Sequence, residues 1–128
     1  FETACSIYLE SCISINKEQS MTFLVLEKLI KKIEEQKNAE VDHSYTASLL
    51  AYAPDKPLRK LSEEVTELLI DVLKGDVKGA TKEAADVLYH YLVVLAAADI
   101  SFSEVLHELE KREGMSGYEE KRNRKQST

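Results

Sequence analysis

Apolar positions recur along this chain at helical spacing, and nowhere with the alternation of a strand. Phe23, Leu26, Leu29, Ile30 and Ile33 fall on one face, with Lys31, Lys32, Glu34 and Glu35 mostly on the other. This predicts a helix that frays into the polar stretch Gln36 to Asp42. Ser44 is a natural N-cap for a short helical piece from Tyr45 to Tyr52, which Ala53-Pro54-Asp55 breaks. Pro57 suits the first turn of a helix reaching Lys74, with Leu58, Leu61, Val65, Leu68 and Val72 on its apolar face and Gly75 as its stop. A further helix is expected from about Val77 to Ala98. Ser101-Phe102-Ser103-Glu104 has the form of a capping box opening a last one to Arg112. The pattern is that of an all-α protein, an antiparallel bundle of about five helices. Residues 1–20 read as an extension, 21–113 as the domain and 114–128 as a polar, basic, loosely held tail.

Composition narrows the class. With 128 residues there is one domain's worth of chain, and 44% hydrophobic against 31% charged residues is a globular balance. Four glycines and two prolines leave little for β-turns. A net charge of −6 argues against nucleic acid as a partner. No apolar run is long enough for a membrane span, and the first residues do not form a signal peptide. Cys5 and Cys12 make neither a disulfide framework nor a zinc site, and read as reduced bystanders of a cytoplasmic protein. Met21 is a candidate start of the domain.

Two acidic stripes carry the chemistry. Glu63, Glu64 and Glu67 share a strip with Lys56, Lys60 and Asp71, opposite the apolar face. Alone, such a strip is most simply a solvated face. The next helix, Ala84 to Ala98, is apolar almost all round, so it is expected to be buried on most sides. Yet Glu83, Asp86 and His90 run along it at i, i+3 and i+7. Carboxylates on a core helix persist when they are paired, protonated or bound to a cation. Two of them ~5 Å apart at an effective dielectric of ~20 repel by about 3 kcal/mol. A short Gly-containing connection should pack the two helices antiparallel, so that Glu64-x-x-Glu67 faces Glu83-x-x-Asp86. Four hard oxygen ligands suit Mg²⁺ rather than zinc. They also lack the Glu-x-x-His pairs of di-iron bundles. Lys56, Arg59 and Lys60 could neutralise phosphate beyond the metal. His90 reads first as a hydrogen-bonded core histidine and second as a substrate contact; Tyr89 and Tyr91 read as packing.

With these motifs in place, the sequence resembles the phosphoribosyl-ATP pyrophosphohydrolases of histidine biosynthesis, within the all-α nucleoside-triphosphate pyrophosphohydrolase group. The likeness runs from about Leu26 to Arg112. It is carried by Ser44-Tyr45-Thr46-Ala47, Asp55-Lys56, Lys60-Leu61-Ser62-Glu63-Glu64-x-x-Glu67 and Glu83-x-Ala85-Asp86-x-Leu88-Tyr89-His90. The resemblance implies Mg²⁺-dependent hydrolysis of phosphoribosyl-ATP to phosphoribosyl-AMP and pyrophosphate. It implies metal ligation by Glu64, Glu67, Glu83 and Asp86, and substrate binding by Ser44, Tyr45, Thr46, Lys56 and Lys60, with His90 a further candidate. Ser62 and Pro57 depart from the family's usual glycine and aliphatic residue without removing a ligand. Some relatives carry a preceding cyclohydrolase domain ending near a Cys-x6-Cys segment. Cys5 to Cys12 has that spacing but not the His-Thr-Gly expected within it.

The expected mechanism is metal-assisted in-line attack by water, with Glu63 or Glu64 taking the proton. The alternatives are a house-cleaning NTP pyrophosphohydrolase of the same helical group, or a non-catalytic helical interaction protein. So short a chain cannot cover every side of the Ala84–Ala98 helix, and a homodimer is expected.

Overall fold

The computed structural model describes residues 17–114 and 117–127; residues 1–16 of the expected N-terminal extension, Cys5 and Cys12 among them, lie outside this range. Among the described residues there are six α-helices and two short 3₁₀ turns, with no strand. The helices are α1 (Lys17–Glu35), α2 (Tyr45–Ala51), α3 (Asp55–Lys74), α4 (Val77–Ala97), α5 (Phe102–Lys111) and α6 (Gly117–Gln126). The 3₁₀ turns, Gln36–Asn38 and Val41–His43, occupy the polar stretch after α1.

The chain divides into two compact units. Residues 28–102 form one; the described residues among 17–27 and 103–127 belong to the other. In the 28–102 unit the core is small: Ile33, Ala47, Leu49 and Pro57 with Leu92, Val93, Leu95 and Ala96 of α4. His90 is buried among them. Ser44 caps α2 as its sequence suggests, its hydroxyl accepting from Ala47 N at 3.2 Å.

The α3–α4 hairpin positions everything that follows. Gly75 ends α3 in the left-handed region at φ 73°, where a Cβ would be strained. Gly75 N donates to Val72 O at 3.1 Å and Asp76 N to Asp71 O at 3.0 Å, which satisfies two terminal carbonyls. Asp76 then opens α4, its carboxylate accepting from Gly79 N at 2.9 Å. Gly79 admits this contact only because it lacks a Cβ, which would stand 2.3 Å from Asp76 Oδ2. A two-residue reversal forces the helices antiparallel, and residues equally far from it lie at the same height. Glu67 is eight residues before Gly75 and Glu83 seven after Asp76; Glu64 and Asp86 stand at eleven and ten.

Two expectations change. The apolar face of α3 is not buried: Leu58, Val65 and Val72 are exposed, as are Leu69, Ile70 and Leu73. In α4, burial begins only at His90, and Leu88 is 42% exposed. The polar, basic C-terminal stretch contains α6, whose described side chains are all exposed. In that same unit Glu108 pairs with Lys111 at 3.9 Å and Arg112 at 3.3 Å. Spacings of i+3 and i+4 favour helix in water without supplying a core.

Candidate functional site

The hairpin brings the two acidic motifs together. One carboxylate oxygen from each of Glu64, Glu83 and Asp86 lies within 4.8 Å of the others, and all three side chains are half-buried. Glu67 is more exposed and stands beside this trio, where its charge acts on Glu83. Burial pushes the Glu83 carboxyl up to about 7, reinforced by the neighbouring Glu64 and Glu67. Glu83 Oε2 is buried without a hydrogen-bond partner. A buried, orphaned acceptor among like charges is an unfavourable arrangement that a cation relieves. The donor set is all hard oxygen, and it fits a small divalent ion by that chemistry.

Lys60 stands at the edge of the cluster. Its ammonium bonds Glu63 Oε2 at 2.9 Å and reaches Glu64 Oε1 at 3.3 Å. These two carboxylates, Glu63 foremost, raise the Lys60 pKa and keep it charged. Glu63 is in turn held below the usual carboxylate range by Lys60, with Arg59 3.9 Å away. It faces solvent and is not part of the trio. The sequence marked Lys60 for substrate; the structure shows it also as a counter-ion inside the site. The i, i+3 and i+4 spacing was there to be read.

His90 lies under the cluster. Its Nε2 is 4.0 Å from Glu64 Oε1, and its Nδ1 is buried without a partner. Burial lowers its pKa, opposed by Glu64. The ring is held edge-on by Tyr89, 5.0 Å between centroids, and by Tyr45, 6.3 Å away. The Tyr89 hydroxyl shares a hydrogen bond with Thr46 Oγ1, so Tyr89 links α4 to α2 as well as packing. Burial also raises the Tyr89 pKa. Of the expected substrate residues, Ser44 is engaged as a cap, Tyr45 is half-exposed over His90, and Thr46 is bound to Tyr89. The Lys56 ammonium lies 5.4 Å from the centre of the exposed Tyr52 ring. Tyr52 gave no signal in the sequence beyond closing its helix.

An antiparallel helix pair that gathers three carboxylates from both its members, with lysine at the rim, defines a class: an all-α protein with an interhelical acidic site suited to a divalent cation. Within that class the chain can be assigned further. Residues 26–113 match the family described as phosphoribosyl-ATP pyrophosphohydrolase, and the chain belongs to that family. A phosphoribosyl-ATP pyrophosphatase of Dinoroseobacter shibae is 52% identical over 100 residues, covering 78% of this chain and 98% of the relative. One from Cereibacter sphaeroides is 50% identical over 100 residues (78% and 97%), and one from Paracoccus denitrificans 48% over 100 residues (78% and 93%). The matched stretch contains all of the acidic cluster and α2.

Proposed function

We propose that this protein hydrolyses phosphoribosyl-ATP to phosphoribosyl-AMP and pyrophosphate, a step of histidine biosynthesis, with Mg²⁺ as its metal. The observation that carries this reading is the convergence of Glu64, Glu83 and Asp86 oxygens within 4.8 Å, inside the stretch that matches the family. Glu64, Glu67, Glu83 and Asp86 would hold the cation, Glu67 completing the set from the exposed rim. When bound, Mg²⁺ supplies charge neutralisation at the phosphoanhydride and lowers the pKa of water. Lys56 and Lys60 would meet the phosphates, and Ser44, Tyr45 and Thr46 at the start of α2, with His90, would contact the rest of the substrate. Glu63 or Glu64 would take the proton from the attacking water, and Lys60 engages both carboxylates. Glu63 also has Arg59 3.9 Å away. A soluble nucleotide substrate puts the activity in the cytoplasm, and among the described residues no helix is long and apolar enough to cross a membrane.

The active form is read as a homodimer. Leu73 is 87% and Val77 78% exposed at the hairpin tip, continuous along α3 with Leu69 and Val72. Contiguous apolar surface of this kind marks an interface.

Incubating the protein with phosphoribosyl-ATP, ATP, dCTP and dUTP, with Mg²⁺ or with EDTA, tests the activity. Pyrophosphate and phosphoribosyl-AMP should form from phosphoribosyl-ATP with Mg²⁺ alone. Preferential cleavage of dCTP or dUTP would instead assign a house-cleaning role, and no release from any nucleotide would leave only an interaction protein.

A further inference from the structure

His90 is 4% exposed, and buried polar atoms in proteins are nearly always hydrogen-bonded. Its Nδ1 has no partner. A proton placed there would be an orphaned buried donor, which is rarer than an unused acceptor. The ring proton therefore belongs on Nε2, the nitrogen that faces Glu64 Oε1 at 4.0 Å. Contacts of this kind are commonly longer in a resting site than when its ligands are bound. The ring cannot easily turn away, because Tyr45 and Tyr89 stand edge-on to it and Tyr89 is tied to Thr46. Lys60 approaches the same Glu64 oxygen at 3.3 Å.

We propose that His90 is a positioning residue. It donates from Nε2 to one oxygen of Glu64 and, with Lys60, fixes that carboxylate so that its other oxygen is offered to the divalent cation. The inference rests on the cation reading above and deepens it. It gives the histidine a task toward a ligand rather than toward substrate, and it makes the Ser44–Thr46 segment part of the support, through Tyr45 and Tyr89. Outer partners of metal ligands typically change affinity by roughly ten- to a hundredfold.

The test is calorimetric titration of the full chain with Mn²⁺, a hard dication suited to the same oxygens, alongside thermal melts without metal. His90→Phe keeps a ring between the tyrosines but has no donor. His90→Gln puts an amide nitrogen close to where Nε2 stands, and His90→Asn puts one close to Nδ1. Mn²⁺ affinity should fall roughly tenfold or more in the Phe and Asn proteins and recover in the Gln protein. The Asn protein should melt below the Gln protein, because asparagine is the poorer helix former and fills less of the site. The two affinities are compared at a temperature where both are folded, which decides the matter even if His90→Phe does not fold. Wild-type affinity in His90→Asn, or equal losses in Gln and Asn, would overturn the positioning role while leaving the cation site standing. A wild-type chain that takes up no Mn²⁺ would overturn both.

Discussion

Glu83 is the residue at which the cost of the site is concentrated. Around it stand Glu64, Glu67 and Asp86, with Lys60 paired to Glu64. Its folded pKa, about 7, lies above the ordinary 4.5. The metal-free folded chain therefore holds this proton more tightly than the unfolded chain does. The stabilisation is complete below about pH 4.5 and is lost as pH rises through about 7. Other carboxylates titrate too, so the informative quantity is the difference between wild type and Glu83→Gln. In EDTA the two should melt close together at pH 5, with Glu83→Gln the more stable at pH 8. A gap that does not change with pH would count against the carboxylate repulsion. Mg²⁺ should raise the melting temperature of the wild type at pH 8, and that of Glu83→Gln much less.

At the scale of elements, the hairpin and its caps were the legible part. The helix bounds around Gly75 follow from one residue able to adopt φ 73° next to one able to cap, and the pairing of Glu64-x-x-Glu67 with Glu83-x-x-Asp86 follows from that two-residue reversal. Gly75→Ala should destabilise by about 1 kcal/mol, because the alanine Cβ opposes the left-handed backbone. Urea unfolding measures this. Ser44→Ala should cost a similar ~1 kcal/mol through the lost cap, with Ser44→Asp restoring it. A Ser44→Ala protein of undiminished stability but impaired turnover would instead assign the hydroxyl to substrate. Less legible from spacing alone was how differently Glu63 and Glu64 would be placed. Helical spacing puts Glu63 and Glu64 almost equally well on the acidic strip. Packing against α4 turns Glu64 inward to 12% side-chain exposure and leaves Glu63 at 48%, where Lys60 and Arg59 claim it. The bond between Thr46 and Tyr89 joins residues 43 apart, and no periodicity carries that information. Nor did the basic composition of 114–128 reveal α6, since its sequence carries no apolar face at helical spacing.

For the whole molecule, the imbalance between apolar surface and available cover is the main fact. A core of a few residues beneath an α3 with its apolar face open is what half of a larger bundle looks like. Sedimentation equilibrium should give twice the chain mass. Leu73→Asp combined with Val77→Asp should shift it towards the monomer and lower the melting temperature, and a wild-type monomer at micromolar concentration would contradict the dimer. The hairpin gathers an acidic cluster between its helices and exposes apolar residues along α3 to its tip. The account stands or falls on the cluster. Its most direct test is the rate of pyrophosphate release from phosphoribosyl-ATP by Asp86→Asn, a nearly isosteric change that removes one charge from the trio. With saturating Mg²⁺ the rate should drop by about a hundredfold or more while the melting temperature holds, since losing a ligand should cost at least as much as losing the support of one. Wild-type, magnesium-dependent turnover by that protein would show that the cluster is not where the cation works.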